Sequence, residues 1–260
     1  MTADARHPIR LPGAVLREVT YPAALRQPRH HHERTSVTLV FGGSLEEDVG
    51  SVHEDATPLS VVFKPAGTEH STRIGPAGAT TFQIELEDGA PRGSSERDPP
   101  DAWGWTHGGR DARRFLEIVR ASRGGAPDDD LEDGLLELLD AVRFGPEPPI
   151  AGPPPAWLAR VAEELEDTFA SPRRVRELAR AACVHPVALA RAHRRHFGCS
   201  ITERLRARRV REAAALLRSR TPSISSVAFR RGFSDQSHLT RVFRSETGLT
   251  PGAYRSLLGR

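Results

Sequence analysis

The stretch Ser223-Ile-Ser-Ser-Val-Ala-Phe-Arg-Arg-Gly-Phe-Ser-Asp-Gln-Ser-His-Leu-Thr-Arg-Val-Phe-Arg-Ser-Glu-Thr-Gly248, continued by Leu249-Thr-Pro-Gly-Ala-Tyr-Arg255, decides the fold of the C-terminal part of this 260-residue chain. It reads as two short helices broken at Gly232-Phe233. The second starts behind Ser234 and Asp235, both good N-cap residues, and stops at Gly248. With Leu239 at zero on a helical wheel, Val242, Phe243 and Glu246 fall within about 60° of it. Ser237, Thr240, Arg241 and Arg244 occupy the other side. A short helix with a narrow apolar stripe and a polar, cationic face, held to a preceding helix by a tight turn, is an arrangement for entering a DNA groove.

The same pattern occurs earlier. Leu189, Arg191, Arg194 and Gly198 match Leu239, Arg241, Arg244 and Gly248 at a spacing of 50 residues. The upstream pairs Leu178-Ala179 and Val227-Ala228 are one residue closer, so the second turn is one residue longer. This internal repeat predicts two helix-turn-helix units. Ser200-Ile-Thr-Glu203 is a capping box, and it opens a connecting helix over Ser200–Leu217 of about 27 Å. That length suits two recognition helices about one duplex turn apart, or about 34 Å. Arg204, Arg206, Arg208, Arg209 and Arg211 along it are expected on a solvated face or against phosphates and neighbouring acids. A helix is also expected over Trp157–Ala170, and another restarting at Ser171-Pro172.

Gly232-Phe233-Ser234-Asp235-Gln236-Ser237, with Leu239, Arg241, Phe243, Gly248, Thr250-Pro251 and Tyr254-Arg255, resembles the signature of AraC-type bacterial transcription regulators. The resemblance covers roughly the last hundred residues. It implies a sequence-specific transcription factor, not an enzyme, with double-stranded promoter DNA and RNA polymerase as partners. Helix geometry and the resemblance together nominate Val187, Ala190, Arg191 and Arg194 on the first recognition helix. On the second they nominate Gln236, Ser237, Thr240, Arg241 and Arg244. Arg191 and Arg241 are the candidates for guanine readout through O6 and N7. Val187 and Ala190 offer only apolar contacts, so the second unit is expected to supply most hydrogen-bonded readout. Two departures from the family pattern stand out: His185 where a Ser or Thr cap is usual, and His193 where Phe243 is matched. A buried neutral imidazole is expected at His193.

Charge divides the chain. Residues 152–260 hold 21 arginines against nine acidic residues, a net of +12, whereas residues 1–151 carry a net of −9. This pairs a polyanion-binding module with a part that avoids polyanions. Cys183 and Cys199 are too few for a disulfide framework and are expected to pack in turns. The N-terminal residues contain no apolar targeting segment, and no apolar run is long enough for a membrane helix. A cytoplasmic location follows as the expectation.

In the N-terminal part, short β-type runs at Ala14–Val19, Ser36–Phe41, Leu59–Lys64 and Thr80–Leu86 are separated by Gly42-Gly43, Pro65-Ala-Gly67 and Gly75-Pro-Ala-Gly78. His30-His31-His32-Glu33 ahead of a strand ending at Gly42-Gly43, and Pro65-Ala-Gly67-Thr-Glu-His70, resemble the two motifs of a cupin barrel. That resemblance spans about residues 12–90 and implies a domain that senses a small-molecule effector. His30 and His32, two apart on an extended segment, point the same way and are candidates to meet His70 around a metal. Metal-binding cupins add a glutamate after the second histidine, where Thr35, Ser36 and Val37 stand here. The favoured expectation is therefore a partly exposed histidine rim with no cofactor. A metal-dependent enzyme carrying a DNA-binding tail is the rival reading and requires a bound ion. A methyl-accepting repair protein is excluded because no metal-clustered cysteine lies outside the helix-turn-helix part.

Helices are expected over Asp111–Ser122 and around Leu131, Leu135, Leu138, Leu139 and Val142. Their stripes are assigned to packing on the barrel, to the homodimer interface that the resemblance implies, or to both at once. The proline-rich run from Gly145 to Pro155 reads as a semi-rigid linker. The expected architecture is α+β: a sensor barrel at 1–100, a helical pair at 101–144, a linker at 145–156 and an all-α DNA-binding domain at 157–260.

Overall fold

The computed structural model describes residues 4–5, 8–87, 103–143 and 153–257. Most of the proline-rich run, 144–152, lies outside the described residues. Among the described residues nine antiparallel strands come first: β1 (Asp4–Ala5), β2 (Ile9–Leu11), β3 (Ala14–Tyr21), β4 (Arg26–His30), β5 (Ser36–Val49), β6 (Val52–Ala56), β7 (Ser60–Lys64), β8 (His70–Leu86) and β9 (Gly104–His107). They order as β1-β3-β8-β5-β7-β9, with β2 on β3, β4 on β8 and β6 on β5.

The sheet is built on β5 and β8, which are 14 and 17 residues long. Of the glycine groups expected to separate strands, Pro65-Ala-Gly67 does lie between β7 and β8, whereas Gly42-Gly43 and Gly75-Pro-Ala-Gly78 are bends inside β5 and β8. Register shifts fall at Val40/Gly42 and Gly43/Leu45. Gly43 has φ +78°, and a Cβ there would lie 1.9 Å from the Gly78 carbonyl oxygen. The two long strands bend together at a point where no side chain fits.

Alternation along the strands sorts residues between two environments. Val37, Leu39, Phe41, Val61, Phe63, Phe82 and Ile84 are buried in a core shared with helices. Ser36, Thr38, Glu47, Lys64, Thr72, Thr81, Gln83 and Glu85 face a cavity of about 450 Å³ enclosed by the curled sheet. The apolar face lies against the helices, and the polar face lines the interior.

Two helices follow, α1 (Gly109–Arg123) and α2 (Asp128–Arg143). Phe115, Leu116 and Val119 of α1 and Leu131, Leu135, Leu138 and Leu139 of α2 are all buried within the chain. Their stripes pack inward. Then come α3 (Ala156–Asp167), α4 (Val175–Ala181), α5 (Pro186–Phe197), α6 (Ile201–Leu217), α7 (Ile224–Arg230), α8 (Gln236–Thr247) and α9 (Pro251–Leu257). Helix α4 does not restart at Ser171-Pro172. Arg174 is its N-cap, and the Glu177 carboxylate accepts from the Arg174 N–H at 2.9 Å.

The helical part has two cores. Leu158, Val161, Leu165, Leu178, Leu189 and Ile201 enclose the first helix-turn-helix unit by itself. Val210, Ala213, Ala214 and Leu217 of α6 join Val227, Phe233, Leu239, Phe243 and Tyr254 of the second unit to the core under the sheet. Helix α6 therefore belongs to one core at its start and to the other at its end.

Candidate nucleic-acid interface and sheet cavity

In the second unit, Ser223 caps α7 by accepting from the Ser226 N–H at 3.1 Å. The chain turns at Gly232, φ +75°, where a Cβ would lie 2.1 Å from the Ala170 carbonyl oxygen. The Phe233 N–H returns to the Ala228 carbonyl at 3.0 Å, and the Phe233 ring is buried. Asp235 then caps α8, accepting from the His238 N–H at 2.7 Å. That bond, reinforced by Ser234, holds the Asp235 carboxyl below its ordinary range. Gly248, φ +74°, ends the helix.

The first unit repeats this frame. Cys183, φ +55°, stands 49 residues before Gly232 in the same left-handed turn. The Val184 N–H bonds the Ala179 carbonyl as Phe233 bonds Ala228. Ser234 is the additional residue, so α5 and α8 begin 50 apart, and Gly198, φ +70°, ends α5 as Gly248 ends α8. The unusual His185 does cap: its Nδ1 accepts from the Val187 N–H at 3.3 Å. His193 is completely buried, donates from Nδ1 to the Cys199 carbonyl at 2.8 Å and packs on Phe197. Burial first, and Arg204 nearby, push its pKa down.

Gln236, Ser237, Arg241 and Arg244 are exposed on α8, and Thr240 is half-buried with its hydroxyl donating to the Gln236 carbonyl at 2.9 Å. Val187, Ala190, Arg191 and Arg194 are exposed on α5. Arg194 pairs with Glu203 at 3.5 Å. The arginines of α6 are tied into the protein. Arg204 and Arg208 pair with Glu166 at 3.0 and 3.2 Å, Arg206 with Glu246 at 4.0 Å, and Arg209 donates to the Phe169 carbonyl at 2.8 Å. They brace the connector against its neighbours.

The sheet cavity gathers the other candidates. His30, His32 and His70 come from β4, the following loop and the start of β8, and their ligand atoms lie within 4.8 Å of one another. His31 and His32 are exposed at the mouth, and His70 is buried below them. His30 and His70 donate from Nδ1 to the carbonyls of Pro28 and Thr68, at 2.8 and 3.0 Å. When neutral, both then keep Nε2 as an acceptor, and that of His70 faces the Lys64 ammonium at 3.4 Å, which an ion bound there would have to displace. Burial and the Lys64 ammonium lower the His70 pKa to about 4. Sequence reasoning missed Glu47 and Lys64, an ion pair at 2.6 Å inside the cavity, because Glu47 lies beyond the expected end of its strand. Glu47 also accepts from Trp103 and Thr72. Elsewhere, Ser60, His107 and Glu54 form a hydrogen-bonded chain of 2.8 and 2.7 Å. Ser60 is completely buried, which makes the chain a tie between β6, β7 and β9 and leaves it no reach to a substrate.

Two helix-turn-helix units on one connecting helix thus stand beside a curled sheet with a polar interior. Residues 178–256 match a helix-turn-helix domain family. Relatives include the HTH-type transcriptional regulator GlxA of Rhizobium meliloti (strain 1021), 35% identical over 105 residues, which are 40% of this chain and 32% of that protein. The arabinose operon regulatory protein of Escherichia coli (strain K12) is 26% identical over 148 residues, 55% of this chain and 50% of that protein. A solved DNA-binding domain of AdpA in complex with a target DNA is 30% identical, covering 38% of this chain and 90% of that one, with a TM-score of 0.37. Residues 178–256 therefore carry a helix-turn-helix domain like those of transcription regulators. It spans about a third to a half of the length of the two curated relatives described. Among the described residues no helix is long and apolar enough to cross a membrane.

Proposed function

We propose that the whole chain is a sequence-specific transcription regulator whose sheet cavity takes a small effector. The observation that carries this is the repeated frame: two recognition helices with exposed polar faces, fixed by one braced helix. Arginine–phosphate contacts supply salt-dependent affinity, and base-edge contacts from α5 and α8 supply sequence choice. Promoter DNA and RNA polymerase are the partners this role requires, and the cytoplasm is its place.

The role is tested by titrating full-length protein onto duplexes selected from a random pool. Affinity should fall steeply with salt, and a flat response would sink the proposal. Arg241→Ala should cost about 1–3 kcal/mol and relax discrimination at one position. Arg191→Ala should do so less, because the neighbours of Arg191 on α5, Val187 and Ala190, are apolar; equal losses would reject that asymmetry.

The cavity supports a second component. Three imidazoles, two of them oriented by backbone carbonyls, suit a divalent ion of the zinc type. Glu47 is engaged by Lys64 and offers no free carboxylate, so His30, His32 and His70 would be the protein ligands. Such an ion would supply a Lewis-acidic anchor for an effector oxygen or nitrogen. Equilibrium dialysis against zinc should give about one ion per chain, and His70→Ala should abolish it. Wild-type protein that stays metal-free leaves the cavity to a metal-independent ligand.

A further inference from the structure

Helix α1 belongs to the sensor part in sequence, yet it packs beside the recognition helix α8. Arg113 of α1 lines the same surface groove as Gln236, Ser237, Thr240, Arg241 and Arg244. Its side chain is about half exposed; Nε pairs with Glu117 at 3.0 Å, and one terminal nitrogen reaches the Ser245 carbonyl at 3.5 Å. Glu117 in turn lies close over Gly248, 3.1 Å from where a Cβ would stand. Behind these contacts Phe115, Leu116 and Val119 share one core with Leu239, Phe243 and Leu249. Helix α1 is fixed to α8, so a duplex that receives α8 also meets α1.

A helix with its side chains is about 10–12 Å across, and the major groove is about 12 Å wide. Helix α8 fills the groove. A neighbour packed along its flank must sit at the groove's lip, where the phosphate backbone runs. We propose that Arg113 contacts a DNA phosphate there, making the sensor part a component of the DNA-binding surface. Three guanidinium groups, Arg113, Arg241 and Arg244, then border one groove. Glu117 offsets part of the charge while holding Arg113 by Nε, and one terminal nitrogen turns to the Ser245 carbonyl beside α8.

This inference rests on α8 being the groove-entering helix, and the test separates the two. Full-length wild type, Arg113→Ala, Arg113→Lys and Arg241→Ala are titrated on the selected duplex and on a scrambled one over a fourfold range of salt. Arg113→Ala should weaken both complexes alike and lower the log–log salt slope by about 0.9, or about threefold less affinity lost over that range. Arg113→Lys should restore the slope, and thermal midpoints should agree, which excludes loss of the α1–α8 contact. An unchanged slope in Arg113→Ala overturns the inference, and so does tighter binding, which would make α1 an obstruction. If Arg241→Ala leaves discrimination intact, the groove-entry assignment of α8 itself has failed; if Arg241 matters and Arg113 does not, only the present inference has.

Discussion

At the scale of single residues, His193 shows how one substitution in a repeat sets a pH response. It holds on α5 the place of Phe243 on α8, fully buried, with Nε2 lacking a hydrogen-bond partner. Burial keeps it neutral, so its folded pKa lies below the ordinary value of 6.5. The folded state then binds fewer protons than the unfolded one just below that value. Its contribution to stability is intact above about pH 6.5 and is lost as pH falls from there through the folded pKa. His193→Phe removes the titration. Thermal midpoints of variant and wild type should diverge on acidification from pH 7.5 to 5, the wild type falling further; parallel profiles would show that protonated His193 finds a partner. The sequence pattern made this imidazole legible because the repeat supplied its counterpart. It could not show the capping role of His185, since an imidazole acceptor in that place depends on ring orientation.

At the scale of elements, local signals were reliable where one residue type satisfies one backbone need. Asp235, Ser200 and the paired Gly198 and Gly248 mark helix ends that the structure keeps. The glycines of the sheet misled for the opposite reason: they serve a close approach between β5 and β8, a long-range demand that resembles a turn. Glu47 was hidden by the same error, and with it the chemistry of the cavity. The two turns make the distinction testable. Cys183 and Gly232 adopt the same left-handed conformation, but Cys183 already carries a Cβ, whereas one at Gly232 would meet the Ala170 carbonyl. Left-handed backbone costs a non-glycine residue about 1–2 kcal/mol, and the collision adds to it. Gly232→Ala should lower unfolding free energy by about 2 kcal/mol or more, against a near-neutral Cys183→Ala, as read from urea midpoints. Similar effects for the two would mean that the segment around Ala170, just after α3, yields without cost.

At the scale of the whole molecule, composition separates an acidic sheet-bearing part from a basic helical part, but packing joins them unevenly. The first helix-turn-helix unit keeps its own core, whereas the second shares one with the sheet. The joint lies at the bend in β5. Its register on β8 skips Phe41, between Val40 and Gly42. The completely buried Tyr254 hydroxyl of α9 donates to the Phe41 carbonyl at 2.7 Å. The Tyr254 ring lies 4.7 Å from Phe41 and 5.3 Å from Phe243. Arg123 adds a bond to the Leu257 carbonyl, and Arg218 one to the Ala77 carbonyl. Sequence could not reveal this joint, because it depends on where the register of two long strands shifts. Tyr254→Phe keeps the ring contacts and removes the donor to a buried carbonyl, at a cost of about 1–3 kcal/mol. Trp103 and Trp105 report on the sheet when Trp157 of α3 is replaced by Phe. In that background Tyr254→Phe, a change in the helical half, should lower the urea midpoint of the sheet's fluorescence transition. A midpoint that stays fixed while the helical transition moves would show that sheet and second unit unfold independently, and that the shared core does not couple them.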